Sequence, residues 1–147
     1  MPDKIRKKNL SDKIELLEGD CEQMIFEDNK FDAVIVAFGV RNFQDLLKGL
    51  KEMCRVLKPG GKMVILEFSQ PENKLLNRLY DFYSSKITPG IGRMISKDRS
   101  AYTYLHDSVK VFPYGDEFSK LLIDAGFKDI HFKPLTFGIA TVYTAGK

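Results

Sequence analysis

The chain has 147 residues, 44% of them hydrophobic and 29% charged, with a net charge of +3. That length sustains one buried core, and the balance is that of an ordinary folded domain rather than a disordered chain. So small a charge gives no ground for a nucleic-acid partner, no apolar run reaches the ~20 residues of a membrane helix, and two cysteines cannot build a disulfide framework.

The start carries Lys4, Arg6, Lys7 and Lys8 with no apolar stretch behind them. It reads as a short basic helix with a solvated face rather than a secretory signal. Lys13–Glu18 reads as a strand that ends at Gly19-Asp20, followed by a turn or short helix over Glu22–Ile25. Asp28-Asn29-Lys30 is a turn signal leading into an apolar strand over 32–38. A helix from about Gln44 then buries Leu46, Leu47, Leu50, Met53, Cys54 and Leu57, spaced as one helical face. Arg55 and Lys58 place cations at its carboxyl end, Pro59 stops it, and Gly60-Gly61 let the backbone reverse into a Met63–Leu66 strand. The unit is strand–helix–strand, so its two strands should be parallel.

Beyond Ser69-Gln70-Pro71, Leu75, Leu76, Leu79, Tyr80, Phe82 and Tyr83 stripe a helix over about 73–86. Thr88-Pro89-Gly90-Ile91-Gly92 breaks it, and residues 93–112 read as short helices in a connection rich in aromatics. Another helix opens at Gly115-Asp116 and closes at Gly126, the left-handed cap. Residues 127–135 and 137–144 alternate as a closing hairpin. The expected architecture is a single α/β domain over 1–147, with a helical insertion at about 71–113 and a carboxyl-terminal antiparallel hairpin. Cys21 and Cys54 fit a reducing, cytoplasmic setting. His106 and His131 do not cluster, and no set of metal ligands stands out.

Arg55–Ser69 resembles a signature of the ubiquinone/menaquinone biosynthesis C-methyltransferases, Arg-Val-aliphatic-Lys-Pro-Gly-Gly followed by apolar positions and Glu-x-Ser. Other family features follow in order: Gly19-Asp20-Cys21-Glu22, Phe31-Asp32, Ala37-Phe38-Gly39-Val40-Arg41-Asn42, Tyr80-Asp81-Phe82-Tyr83-Ser84, Ser100–Leu105 and Ala125-Gly126-Phe127. The resemblance implies a class I, Rossmann-like methyltransferase sheet and S-adenosylmethionine as cofactor. It also implies methyl transfer to a ring carbon of a prenylated quinol-type molecule. Such an acceptor would bring the enzyme to the inner membrane face as a peripheral partner, with no nucleic acid involved.

The same resemblance assigns residues. Asp20 and Cys21 would meet the adenine, Asp20 also being placed to cap the turn that follows it. Ala37, Phe38 and Gly39 would line the methionine or ring side, Phe38 having core packing as its plain alternative. Arg41 and Asn42 are the catalytic candidates. Arg41 keeps its proton, so it would stabilise a phenolate or orient a water rather than act as a base, with a surface ion pair as its plain alternative. Asn42 would hold the acceptor's oxygen or simply cap the next helix. Tyr80, Tyr83, Tyr102 and Tyr104 would wall a pocket or pack a core. Apart from the resemblance, Glu67 ends a strand, where an orienting carboxylate would fit, and no catalytic role follows for it from the sequence.

One departure stands against the match. The family's Gly-rich turn and the acidic end of its second strand have no counterpart here, since the first 20 residues hold one glycine, Gly19. By resemblance the chain starts near the end of the helix before the third strand, and the two strands it lacks belong between its first strand and the Asp32 strand. The expectation is weak cofactor binding, or none, unless a homodimer completes the site. The alternative reading is a non-catalytic half-domain that works as an interaction module.

Overall fold

The computed structural model describes residues 2–71, 73, 78 and 99–147. After a short basic helix α1 (Pro2–Lys7), strand β1 (Phe31–Ala37), helix α2 (Leu46–Val56) and strand β2 (Leu57–Phe68) form the expected unit, with the strands parallel. Asp45 caps α2, its carboxylate accepting from the Lys48 amide at 3.0 Å. At the other end, the amides of Asn29 and Lys30 donate to the Arg55 and Val56 carbonyls, satisfying acceptors a helix terminus leaves open.

The Pro-Gly-Gly stretch lies inside β2 rather than before it. Register runs from Phe31↔Leu57 straight to Ala33↔Lys62, so the extra residues of β2 loop out of the ladder there. Gly60 takes φ +78°, and a Cβ on Gly61 would fall 2.8 Å from Leu57 Cγ and the Lys58 carbonyl. The loop also receives the carboxyl terminus: Gly60 donates to the Lys147 carbonyl and Lys147 to that of Gly61.

Helices α3 (Arg99–Val111) and α4 (Asp116–Asp124) precede the hairpin of β3 (Lys128–Leu135) and β4 (Ala140–Gly146). The sheet order is β1-β2-β4-β3, with β4 antiparallel to both neighbours. Gly126 closes α4 at φ +100°, as its position suggested. The core lies on one face of the sheet, where Leu50 and Met53 of α2 and Phe118 and Leu122 of α4 meet Met63, Ile65 and Tyr143. The opposite face of β1 is open, with Ile35 73% exposed.

Three expectations are corrected. Lys13–Glu18 is not a strand: it is exposed, and residues 14–18 follow a turn without joining a ladder. Alternating residues make a strand only where a neighbour supplies hydrogen bonds, and among the described residues β1 pairs with β2 alone. The described end of the 93–112 stretch is one helix, α3, rather than several. Asn42 caps no helix, since Asp45 holds that place. The helix expected over 73–86, with Tyr80 and Tyr83, lies outside the described residues apart from isolated positions.

Candidate active site at the carboxyl ends of the parallel strands

β1 ends in a tight turn. Phe38 takes φ +55°, a left-handed conformation that is costly for an aromatic residue. Its amide stays in the ladder, donating to the Leu66 carbonyl at 2.8 Å. Gly39 leads into a 3₁₀ turn over Val40–Asn42, with Val40 fully buried as its anchor. The turn lifts Arg41 and Asn42 over the end of the sheet, where ligand sites of open α/β folds lie.

Arg41 is held there by the end of β2. Its Nη1 donates to Glu67 Oε1 at 2.8 Å and to the Phe38 carbonyl at 2.7 Å, and its main-chain amide donates to Glu67 Oε2 at 3.3 Å. The Glu67 side chain is fully buried and that of Arg41 is 11% exposed. The Phe68 amide completes the carboxylate's partners at 2.9 Å. The guanidinium lies over the Phe68 ring at 5.4 Å, and that ring packs 4.5 Å from Phe38. A charge-assisted pair between two strand ends thus fixes a cation above an aromatic floor.

Asn42 faces α3. Its Oδ1 accepts from the Tyr104 hydroxyl at 2.9 Å, so a tyrosine of the aromatic-rich stretch reaches the strand-end turn. Ser69, next along the buried side of β2, bonds the Gly138 carbonyl and the Thr141 hydroxyl, both at 2.8 Å, and joins the end of β2 to the hairpin.

Asp20 and Cys21 sit elsewhere on the edge. Asp20 accepts from the Glu22 amide at 2.8 Å, the capping role weighed for it, and Cys21 is exposed. Together with Gly19, Met24, Val34 and Val36 they line a groove of about 270 Å³. Ala37, Phe38, Gly39, Arg41 and Asn42 group at the β1 end outside that groove.

The loop that carries Asp20 and Cys21 is fastened by Glu22, Glu52 and Arg55. Glu22 accepts from the amides of Gln44 and Asp45, and Glu52 from that of Met24. Arg55 binds the Met24 and Phe26 carbonyls, Asp28 and Glu52. Hydrogen bonding to Arg55 lowers the Glu52 carboxyl below its ordinary range, and hydrogen bonds to Glu52 and Asp28 raise the guanidinium's pKa. The signature arginine therefore clamps a loop as well as ending a helix. Its i, i+3 pairing with Glu52 was the available signal.

The sequence profile of the ubiE/COQ5 methyltransferase family matches residues 2–147. The demethylmenaquinone methyltransferase of Bacteroides fragilis is 47% identical over 145 residues, covering 99% of this chain and 59% of that protein. The ubiquinone/menaquinone biosynthesis C-methyltransferase UbiE of Geotalea daltonii is 48% identical over 144 residues, covering 98% of this chain and 61% of that protein. The chain thus spans about three fifths of the length of these curated relatives. A crystal structure of a SAM-dependent methyltransferase from Thermotoga maritima superposes with a TM-score of 0.64 at 18% identity, covering 97% of this chain and 69% of that one, which bears on the fold alone. With a profile match along nearly its whole length and relatives near half identity, the chain belongs to the ubiE/COQ5 methyltransferase family.

Proposed function

We propose that the chain takes part in S-adenosylmethionine-dependent C-methylation of a prenylated quinol precursor, a reading named for its Bacteroides relative as demethylmenaquinone methylation. The observation that carries it is the buried Arg41–Glu67 pair, which fixes a guanidinium at the carboxyl ends of two parallel strands beside Asn42.

Bound S-adenosylmethionine supplies an electrophilic methyl group on a sulfonium. The chain's residues would then make a ring carbon nucleophilic enough to take it. Arg41 favours the phenolate form of the neighbouring hydroxyl, whose proton passes to water. Asn42 holds the acceptor's second oxygen through its amide, oriented by Tyr104. The ring carbon would take the methyl that the cofactor supplies, and the carbon's own proton would then pass to water as the ring regains its aromaticity. Phe38 and Phe68 exclude water from the ring's face, which strengthens the electrostatic term.

The groove beside Gly19-Asp20-Cys21 has the character of an adenine site, with apolar walls from β1 and a carboxylate at the rim. Asp20 would accept from the adenine amino group, the Cys21 amide would donate to a ring nitrogen, and Ala37, Phe38 and Gly39 would adjoin the methionine end. Helix α3 belongs on the acceptor's side because Tyr104 reaches Asn42. Among the described residues no helix is long and apolar enough to cross a membrane.

The test is transfer of labelled methyl from S-adenosylmethionine to a prenylated naphthoquinol in detergent. Calorimetry with S-adenosylhomocysteine and a solution mass on the same sample complete it. Label in the quinone fraction, lost in Arg41→Ala, supports the reading, and a dimer mass would show that two copies complete the site. No transfer together with no binding overturns it for this chain.

A further inference from the structure

A guanidinium has five N–H donors, and among the described residues Arg41 uses two of them. Both belong to Nη1, bonded to Phe38 and Glu67. Among the described residues Nε of Arg41 is the buried side-chain nitrogen left without a partner, and no hydrogen bond from Nη2 is present either. Leaving a buried donor unpaired is costly, so a folded protein that keeps one invites a functional explanation. Nε and Nη2 form one planar edge of the guanidinium, the edge that matches two oxygens or one anionic oxygen in fork geometry.

Glu67 determines which edge is left. Its carboxylate takes Nη1 on one oxygen and the Arg41 amide on the other, tying the side chain and its own turn to the same anchor. The guanidinium carbon lies 5.4 Å from the centroid of the Phe68 ring, and the Glu67 and Phe38 acceptors fix its orientation there. We propose that Glu67 is a positioning residue: by taking Nη1 and the main-chain amide it reserves the Nε–Nη2 edge of Arg41 as a fork for an anionic oxygen, the phenolate of the acceptor. The proposal rests on the acceptor reading for the identity of that oxygen, but the fork itself is a property of this chain.

The test uses 1-naphthoate, a planar aromatic carboxylate that needs neither cofactor nor turnover. In ¹⁵N-labelled protein the Arg41 Nε–H resonance, identified by its absence in Arg41→Lys, should move downfield as 1-naphthoate is added. Arg41→Lys keeps the charge and loses the fork, and should weaken binding about tenfold, the scale of a charge-assisted hydrogen bond. Glu67→Gln removes a negative charge beside the anion site, so simple Coulomb attraction would tighten binding. Positioning predicts the opposite, a loss of affinity in protein whose thermal melt shows it folded.

Equal affinity in Arg41→Lys, an unmoved Nε–H resonance, or tighter binding in Glu67→Gln would overturn the proposal. Failure of 1-naphthoate to bind while methyl transfer proceeds would sink the fork and leave the acceptor reading standing. Naphthoate binding at the fork without any transfer would do the reverse.

Discussion

Glu67 accepts from two different nitrogens of Arg41, one on the side chain and one on the main chain. A surface ion pair constrains only side-chain ends, whereas this one also fixes the backbone turn after β1. Burial makes the pair costly to assemble, because both ions leave water, and costlier still to break on one side. The end of β1 is therefore held by a polar contact where a hydrophobic one would have been simpler. That choice fits a site better than a core.

Glu67→Leu alone should destabilise the fold by about 3–5 kcal/mol, because the guanidinium would stay buried without its counter-ion. Arg41→Met alone should cost a similar amount by stranding the carboxylate. The double variant should recover most of the loss, since well-packed apolar side chains replace buried ion pairs at little cost. Urea unfolding of the four proteins measures the coupling, and additive losses would show that the pair is not a unit.

Arg55 should control the mobility of the loop bearing Asp20 and Cys21. Its guanidinium binds two loop carbonyls and Asp28, while Glu52 takes the Met24 amide. In Arg55→Leu, hydrogen exchange at residues 20–28 should quicken, while β2 and β4 keep their protection. Unchanged exchange in the loop would show that Glu22 and Glu52 hold it without Arg55.

The parts legible in the sequence were those whose signal is local. The i, i+3, i+4 spacing of α2, the Asp28-Asn29-Lys30 turn and the Gly126 cap each depend on residues a few positions apart. Arg41 stood out because a charged residue following a glycine bend has no core to join. Partners across the fold were less legible: Arg41 and Glu67 are 26 positions apart, and Arg55 reaches Met24 over 31. No periodicity encodes such pairs, so the contacts that Glu22 makes with Gln44 and Asp45, and Glu52 with Met24, have no local signal. Lys13–Glu18 shows the same limit from the other side, because strand propensity is realised only against a neighbour.

Gly61→Ala should destabilise the chain by about 1–3 kcal/mol, the usual cost of overpacking. The added methyl would meet the Lys58 carbonyl at 2.8 Å and the Asp32 carbonyl at 3.0 Å, backbone atoms that cannot swing aside. Gly60→Ala should also destabilise, but through its φ of +78° alone, since a Cβ there meets nothing within 4 Å. Urea midpoints measure both. A neutral Gly61→Ala would mean that the loop between Leu57 and Lys62 shifts readily, and that the register change beside it is soft.

Tyr143 should give the fold an alkaline weakness. It is fully buried at the centre of β4, against Phe118, and its hydroxyl oxygen accepts from the Gly115 amide at 2.7 Å. Burial raises the phenol above its ordinary value of 10, with the Gly115 bond working in the opposite direction. As pH rises past 10 the unfolded chain releases this proton while the folded chain keeps it. The folded state then binds more protons, so stability falls with rising pH until the buried phenol ionises too. Below that window the contribution is intact. Tyr143→Phe should cost about 1–3 kcal/mol at neutral pH by leaving the Gly115 amide unpaired, yet it has no phenol to ionise. The stability gap between the two proteins should therefore narrow between about pH 8 and about pH 11, measured by urea unfolding. A gap that stays constant would mean that the Tyr143 phenol titrates alike in both states, and that its burial does not govern its proton.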